Sequence, residues 1–247
     1  MDGVAGRRPV LEAVRSGAAR EVLVAAGARP TSGLREILDA ARMGGVPVHR
    51  VPVERVAAVA PGTRHQGVAA RIRPPKTLTE SELSRWRWVE DAVVLVLDGV
   101  TDPHNVGALA RTAEAAGAAA LILRRRRGAD LTPAAVRASA GSLLHLPVAR
   151  VANLPRTLER LRDRGFWVAG LDARADRNVD EFRSPPGPLA LVVGSEGEGL
   201  SRLVRETCDE LLAIPLRGRV ASLNVSVAAG VALFALIRPR VPSKQES

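Results

Sequence analysis

IPLRGRVASLNVSV, Ile214 to Val227, reads as the end of an apolar strand, a glycine-containing loop and the start of a helix, with Ser222 and Asn224 flanking Leu223 at the junction. Either polar side chain can cap that helix or face a ligand. Two earlier stretches have the same construction. DGVTDPHNVGALART, Asp98 to Thr112, follows the apolar run VVLVL, and LVVGSEGEGL, Leu191 to Leu200, ends another such run in glycines around Glu196. Open α/β sheets bind ligands at the carboxyl ends of their strands, where small residues and lone polar side chains leave room, so the three stretches are expected to form one site.

On either side of these stretches, from Ala92 onward, apolar runs alternate with helical patterns. VVLVLDGV is followed by a helix from Asn105 to Ala116, AALILR by a helix over Pro133 to Leu144, and PVARV by a helix over Leu154 to Arg164. WVAGLD and LALVVG follow, then a helix over Ser201 to Cys208, ELLAIPL, and a last helix from Asn224 to Ile237. Strands so uniformly apolar belong to a parallel sheet covered on both faces. Upstream, EVLVAAG, VPVHRV and GVAARI alternate with short helical patterns and make a separate α/β unit over residues 1–73, with twelve arginines against six acids. Residues 74–91 open on Pro74-Pro75 and have the composition of a linker, with Trp86 and Trp88 as anchors; 92–240 is the larger domain and 241–247 a flexible tail.

The 247 residues, 46% of them hydrophobic, suffice for two domains with real cores. No long uncharged apolar run is present, and the first residues lack the form of a secretory signal, so the chain is expected to be soluble and cytoplasmic, with no membrane partner. One cysteine, Cys208, and four scattered histidines exclude a disulfide and any recognisable zinc pattern, so no metal is expected. The net charge of +10 points to a polyanion, and nucleic acid is the common one. The absence of tyrosine, with only three Phe and three Trp, argues against recognition by a sheet of stacking aromatics.

GSEGEG, Gly194 to Gly199, is G-x-x-G-x-G and not the dinucleotide fingerprint, and no glycine loop continues into Lys-Ser/Thr, so ordinary nucleotide-cofactor readings weaken. Its glycines either let a ligand approach the backbone beside Glu196 or merely turn the chain into the next helix. Asn105 can cap the helix that carries Arg111 roughly one and two-thirds turns later, and that guanidinium either reaches solvent or is held by an anion. The run Arg124, Arg125, Arg126, Arg127 is either a solvated cluster or a set of phosphate contacts, the latter favoured with an RNA partner.

Taken together, DPHNVGALARTAEAAG, VVGSEGEGL and IPLRGRVASLNVSVAAG resemble, in order and spacing, the three motifs of the SpoU/TrmH class of RNA ribose 2′-O-methyltransferases in the SPOUT superfamily. The likeness covers Ala92 to Arg240. GRRPVLEAV and HQGVAARI make the first unit similar to the substrate-binding domain of bacterial 23S rRNA guanosine methyltransferases of that class, which is like ribosomal protein L30e. The resemblance implies an α/β fold in which a SPOUT-type parallel-sheet methyltransferase domain with a deep trefoil knot follows a small L30e-like RNA-binding domain. It implies a homodimer and S-adenosylmethionine as cofactor, held by Leu171, Gly194, Glu196, Gly197, Ile214, Leu216 and Leu223. Asn105, Arg111, Glu196, Ser222 and Asn224 match the family's catalytic residues. RNA contacts are expected at Arg7, Arg8, Arg64 and His65 and along Arg124 to Arg127. Leu216 stands where methionine is frequent and Phe234 where tyrosine is, both conservative for packing. The expected substrate is a guanosine of 23S rRNA. A tRNA ribose target, an rRNA adenosine methylated for antibiotic resistance, and a non-catalytic RNA-binding protein stay as alternatives. An arginine base is chemically awkward because guanidinium stays protonated, so Arg111 is expected to clamp the target phosphate and stabilise the incipient alkoxide, with a phosphate oxygen or water taking the proton.

Overall fold

The computed structural model describes residues 3–126, 128–220 and 222–237. In chain order the elements are β1 (Gly3–Ala5), α1 (Arg7–Arg15), β2 (Ala19–Ala25), α2 (Ser32–Met43), β3 (Val48–Val51), α3 (Val53–Val59), β4 (Val68–Ile72), β5 (Thr77–Leu78) and α4 (Glu80–Arg85). There follow β6 (Val93–Asp98), α5 (Pro103–Ala115), β7 (Ala120–Arg124), α6 (Pro133–Ala138), a one-turn 3-10 helix (Ser142–Leu144), β8 (Val148–Val151) and α7 (Leu154–Arg162). Last come β9 (Trp167–Leu171), β10 (Arg177–Asn178), β11 (Leu189–Gly194), α8 (Arg202–Thr207), β12 (Glu210–Ala213) and α9 (Val225–Ile237). The chain divides into two compact units, Met1–Lys76 with Asp130–His145, and Thr77–Ala129 with Leu146–Ser247.

The first unit holds a mixed sheet in the order β1-β4-β2-β3, with β4 antiparallel to both neighbours and β2 parallel to β3. Helix α1 buries Val10, Leu11, Ala13 and Val14, the spacing of one helical face. Helix α2 buries Leu34, Ile37 and Ala41 and starts where the Thr31 hydroxyl accepts the Leu34 N–H at 3.3 Å. Sequence pattern predicts a single helix over 133–144, but it is broken after α6. The Ser139 hydroxyl accepts from the N–H groups of Gly141 and Leu143, at 3.2 and 3.3 Å, in competition with helical bonding. Ala140 and Gly141 take φ of 52° and 96° at the break. Gly141 lies so close to Glu12 that an added Cβ would meet the Glu12 Cβ at 2.6 Å, so the segment can approach α1 this closely only with glycine there.

The second unit is an eight-stranded sheet, every pairing parallel, in the order β10-β12-β9-β11-β6-β7-β8-β5. All six residues of β6 and of β11 are buried, as strands covered on both faces must be. Val94, Val96, Ile122, Val168 and Val192 join Leu154, Leu158 and Leu161 of α7 in one core. The stretch 74–91, with the composition of a linker, carries structure instead: β5 pairs with β8 at the sheet edge, and α4 starts at a capping box of Thr79 and Glu82. Trp88 packs edge-on against Phe166 at 5.3 Å, the anchoring expected of it. The Cys208 thiol donates to the Val204 carbonyl, and burial, then the charges of Asp209 and Asp98, push its pKa up to about 12, so it stays a protonated core thiol. Among the described residues no helix is long and apolar enough to cross a membrane and no group of side chains could hold a metal ion. Arg127, residues 238–240 and the stretch 241–247 expected as a tail lie outside the described residues.

Candidate active site

Three neighbouring strands, β11, β6 and β7, end at Gly194, Asp98 and Arg124, and the segments that carry Glu196 and Asn105 leave from the first two of these carboxyl ends. After β6 the chain turns at Gly99, with φ of 76°, and enters α5 through Asp102 and Pro103. The Asp102 carboxylate accepts the His104 N–H at 2.9 Å and its carbonyl accepts the Val106 N–H. Asp102 is therefore the cap, not Asn105 as the sequence allowed, because proline takes the first helical position and leaves Asn105 on the third. The Asn105 amide is free for other partners.

Beyond β11 the chain folds back on itself, with Ser195 and Gly199 exchanging both backbone hydrogen bonds at 3.1 and 3.0 Å around Gly197, whose φ is 84°. This turn presents Glu196. Its Oε1 accepts from Asn105 Nδ2 at 3.2 Å, from Asn224 Nδ2 and from the Val225 N–H at 3.4 Å. Asn224 Nδ2 also donates to Asn105 Oδ1 at 3.1 Å. Meanwhile Asn224 Oδ1 accepts the Ser226 N–H at 3.0 Å and the Ser226 hydroxyl, and its carbonyl accepts the Ala228 N–H. The capping and site-facing roles open for Asn224 thus coexist: its oxygen starts α9 and its nitrogen joins the cluster. Glu196 Oε2 takes no hydrogen bond among the described residues, and the side chain is exposed, so one carboxylate oxygen is saturated and the other open.

The other two expected catalytic residues stand outside this network. Arg111 is exposed, with no hydrogen bond or ion pair among the described residues. Six helical residues from Asn105, it lies about 9 Å along α5 and about 120° around it. An unpaired guanidinium there is available to an external anion. Ser222 is likewise exposed and makes no hydrogen bond among the described residues.

Of the expected cofactor residues, Leu171 and Gly194 end neighbouring strands, Ile214 follows the last residue of β12, and Glu196, Gly197, Leu216 and Leu223 lie in the segments that leave β11 and β12. Leu171 ends β9 and pairs with Leu212 of β12, two residues before Ile214, while β11, ending at Gly194, flanks β9 on its other side. Leu216 is 36% exposed, Leu223 is half-buried, and Gly197 has nothing within 4 Å of where a Cβ would stand. Accessible glycine backbone next to apolar rims suits S-adenosylmethionine, whose adenine needs apolar cover and whose polar groups can be met by peptide N–H and C=O.

In the first unit, the Arg7 N–H donates to Gln66 Oε1 at 3.1 Å, and a Cβ on Gly6 would stand 3.3 Å from the Arg64 carbonyl. This brings the expected RNA contacts Arg7, Arg8, Arg64 and His65 to one place, the start of α1. His65 Nδ1 accepts the Gly67 N–H. The run from Arg124 is divided: Arg125 and Arg126 are exposed, whereas Arg124 is paired at 2.9 Å with Asp98. Sequence reasoning missed Asp98, although a lone carboxylate closing the otherwise apolar VVLVLD marks a residue with a buried partner.

Residues 92–234 match the SpoU rRNA Methylase family, and residues 4–78 match the family of RNA 2′-O ribose methyltransferase substrate binding domains. The chain is 47% identical over 182 residues, 73% of its length and 74% of the relative's, to the 23S rRNA (guanosine-2′-O-)-methyltransferase RlmB of Photobacterium profundum. It is 44% identical to RlmB of Haemophilus influenzae, over 90% of this chain and 91% of that one. Among solved structures it resembles the SpoU methyltransferase AviRb of Streptomyces viridochromogenes in complex with AdoMet. There the TM-score is 0.80 and the identity 29%, over 96% of this chain and 89% of that one.

Proposed function

We propose, from the premise that this chain belongs to the SpoU rRNA methylase family and is an S-adenosylmethionine-dependent RNA 2′-O-ribose methyltransferase, that its target is a guanosine of 23S rRNA, modified in the cytoplasm. The observation that carries the catalytic reading is the joining of Asn105, Glu196 and Asn224 by mutual hydrogen bonds across three distant segments. The guanosine target is supported by the RlmB relatives, which match both units.

When bound, the cofactor supplies a methyl group activated by sulfonium. Leu171, Gly194, Gly197, Ile214, Leu216 and Leu223 would hold it. The residues of the chain must align the ribose 2′-hydroxyl and offset the charge that develops on it. Asn105 and Asn224 hold Glu196 by Oε1, leaving Oε2 to accept a hydrogen bond from the substrate. Arg111, free of protein partners, clamps the target phosphate and stabilises the incipient alkoxide, while a phosphate oxygen or water takes the proton. Ser222, exposed beside Asn224, contacts the ribose. Arg7, Arg8, Arg64, His65, Arg125 and Arg126 bind RNA phosphates.

The same reading includes a trefoil knot and a homodimer. The knot is supported by β12 lying between β9 and β10, two strands joined directly by residues 172–176, before the chain returns to α9. The dimer is supported by Val227, Val231 and Phe234, which are 52, 42 and 45% exposed and form an apolar stripe along α9. A second copy of the chain is the occupant that buries it. Phe234→Glu is expected to give a monomer by sedimentation, and an unchanged dimer would place the interface elsewhere.

With labelled methyl donor, 23S rRNA lacking its modifications is expected to be methylated and tRNA is not. Label in tRNA alone would overturn the proposed target.

A further inference from the structure

Among the described residues Asp98 is the most deeply buried charged residue, at 3% exposure. Its Oδ1 meets Arg124 Nη2 at 2.9 Å, and its Oδ2 accepts the Ser201 N–H at 2.7 Å. Arg124 Nη2 also donates to the Ser201 hydroxyl at 3.3 Å. Ser201 occupies the cap position of α8, yet its side chain makes no capping bond and serves Arg124 instead. Burying an ion pair gains little stability against apolar residues of the same volume, so its worth here lies in the geometry it imposes.

That geometry concerns the turn that carries Glu196. Asp98 is the register partner of Gly194, where the turn leaves β11, and it binds the amide of Ser201, where the turn ends. It thus holds both ends of the segment. It is also the last residue of β6, from which the chain runs through Gly99 into α5 and Asn105. One buried carboxylate is therefore common to two of the three segments that meet in the Asn105, Glu196 and Asn224 cluster.

We propose that Asp98 and Arg124 are positioning residues for methyl transfer, holding the 195–201 turn so that Glu196 meets Asn105 and Asn224, and that Arg124 does not bind RNA. The proposal rests on the reading of Glu196 as catalytic. It separates Arg124 from Arg125 and Arg126, which belong to the same run of letters but are exposed.

The test is a double-variant cycle under saturating RNA and cofactor, with RNA affinity measured as a function of salt. Asp98→Asn keeps the shape and one acceptor but removes the charge that holds Arg124. Its kcat is expected to fall on the order of 100-fold, the cost of a displaced catalytic group, with RNA affinity and its salt slope unchanged. Because Asp98 acts through Glu196, adding Asp98→Asn to Glu196→Gln is expected to cost nothing further. Arg124→Gln is expected to behave like Asp98→Asn, and Arg124→Lys to recover part of the rate because it restores the charge beside Asp98. If Asp98→Asn does not fold, the two Arg124 variants carry the same cycle. Full multiplicative losses in the double variant, or a reduced salt slope for Arg124→Gln, would overturn the positioning pair. An unchanged rate for Glu196→Gln alone would overturn the catalytic reading on which it rests.

Discussion

Asn224→Asp is expected to silence methyl transfer while leaving the start of α9 in place. The two halves of the Asn224 amide have different duties. Its oxygen accepts the Ser226 N–H at 3.0 Å, and aspartate caps a helix as well as asparagine does, so that bond survives. Its nitrogen donates to Glu196 Oε1 and to Asn105 Oδ1, and aspartate puts an acceptor where both partners need a donor. Two carboxylates then face each other, and Glu196 turns away from Asn105. Loss of one preorganised donor in an active site costs roughly 100- to 1000-fold in kcat, which is the drop expected here. The melting temperature is expected to stay within about 5 °C of the parent. Single-turnover methylation and a thermal melt on the same preparation check both halves, and a variant that unfolds would reduce Asn224 to a structural cap.

Gly194→Ala is expected to weaken cofactor binding and to destabilise the second unit. A Cβ at Gly194 would stand 2.1 Å from the Gly199 carbonyl carbon, 2.2 Å from its oxygen and 2.4 Å from the Leu200 nitrogen. All three are backbone atoms, so no side-chain rotation relieves the clash, and the Glu196 turn must lift off the strand. Forcing one methyl into a packed site costs about 1–3 kcal/mol, and a backbone contact lies at the upper end. Binding of S-adenosylmethionine by calorimetry is expected to weaken at least tenfold, roughly 1.4 kcal/mol. Gly197→Ala is the control. Nothing stands within 4 Å of its Cβ position, so only the left-handed φ of 84° costs, about 1–2 kcal/mol. If Gly194→Ala bound the cofactor as the parent does, the turn would be mobile enough to yield and its close approach to β11 would have no role.

The parallel sheet was legible because its strands carry their burial in their letters: VVLVLD and LALVVG leave no alternation that a solvent-facing sheet would need. The candidate site was legible in outline, since Asn105, Glu196 and Asn224 each belong to a segment that leaves an apolar strand. Their mutual contact was not, because nothing in local spacing relates side chains 91 and 28 residues apart; only the order of the three motifs suggested it. Local chemistry hid other features. The polar residues of 74–91 look like a linker by composition, but Thr79 and Glu82 supply a capping box that starts α4. In Arg124 to Arg126 the letters are identical while the environments differ, because Arg124 closes β7 beside the buried Asp98 and its neighbours have left the sheet. A run of like charges reveals a field, not which member is already neutralised.

In the proposed reaction the cluster of Asn105, Glu196 and Asn224 directs a methyl group to a ribose oxygen of a 23S rRNA guanosine. Digestion of the labelled 23S rRNA to nucleosides, followed by mass spectrometry, tests this most directly. Label is expected in 2′-O-methylguanosine with the parent enzyme, and Asn224→Asp is expected to incorporate it roughly 100- to 1000-fold more slowly. Label on a base, or undiminished 2′-O-methylguanosine from the Asn224→Asp enzyme, would contradict it.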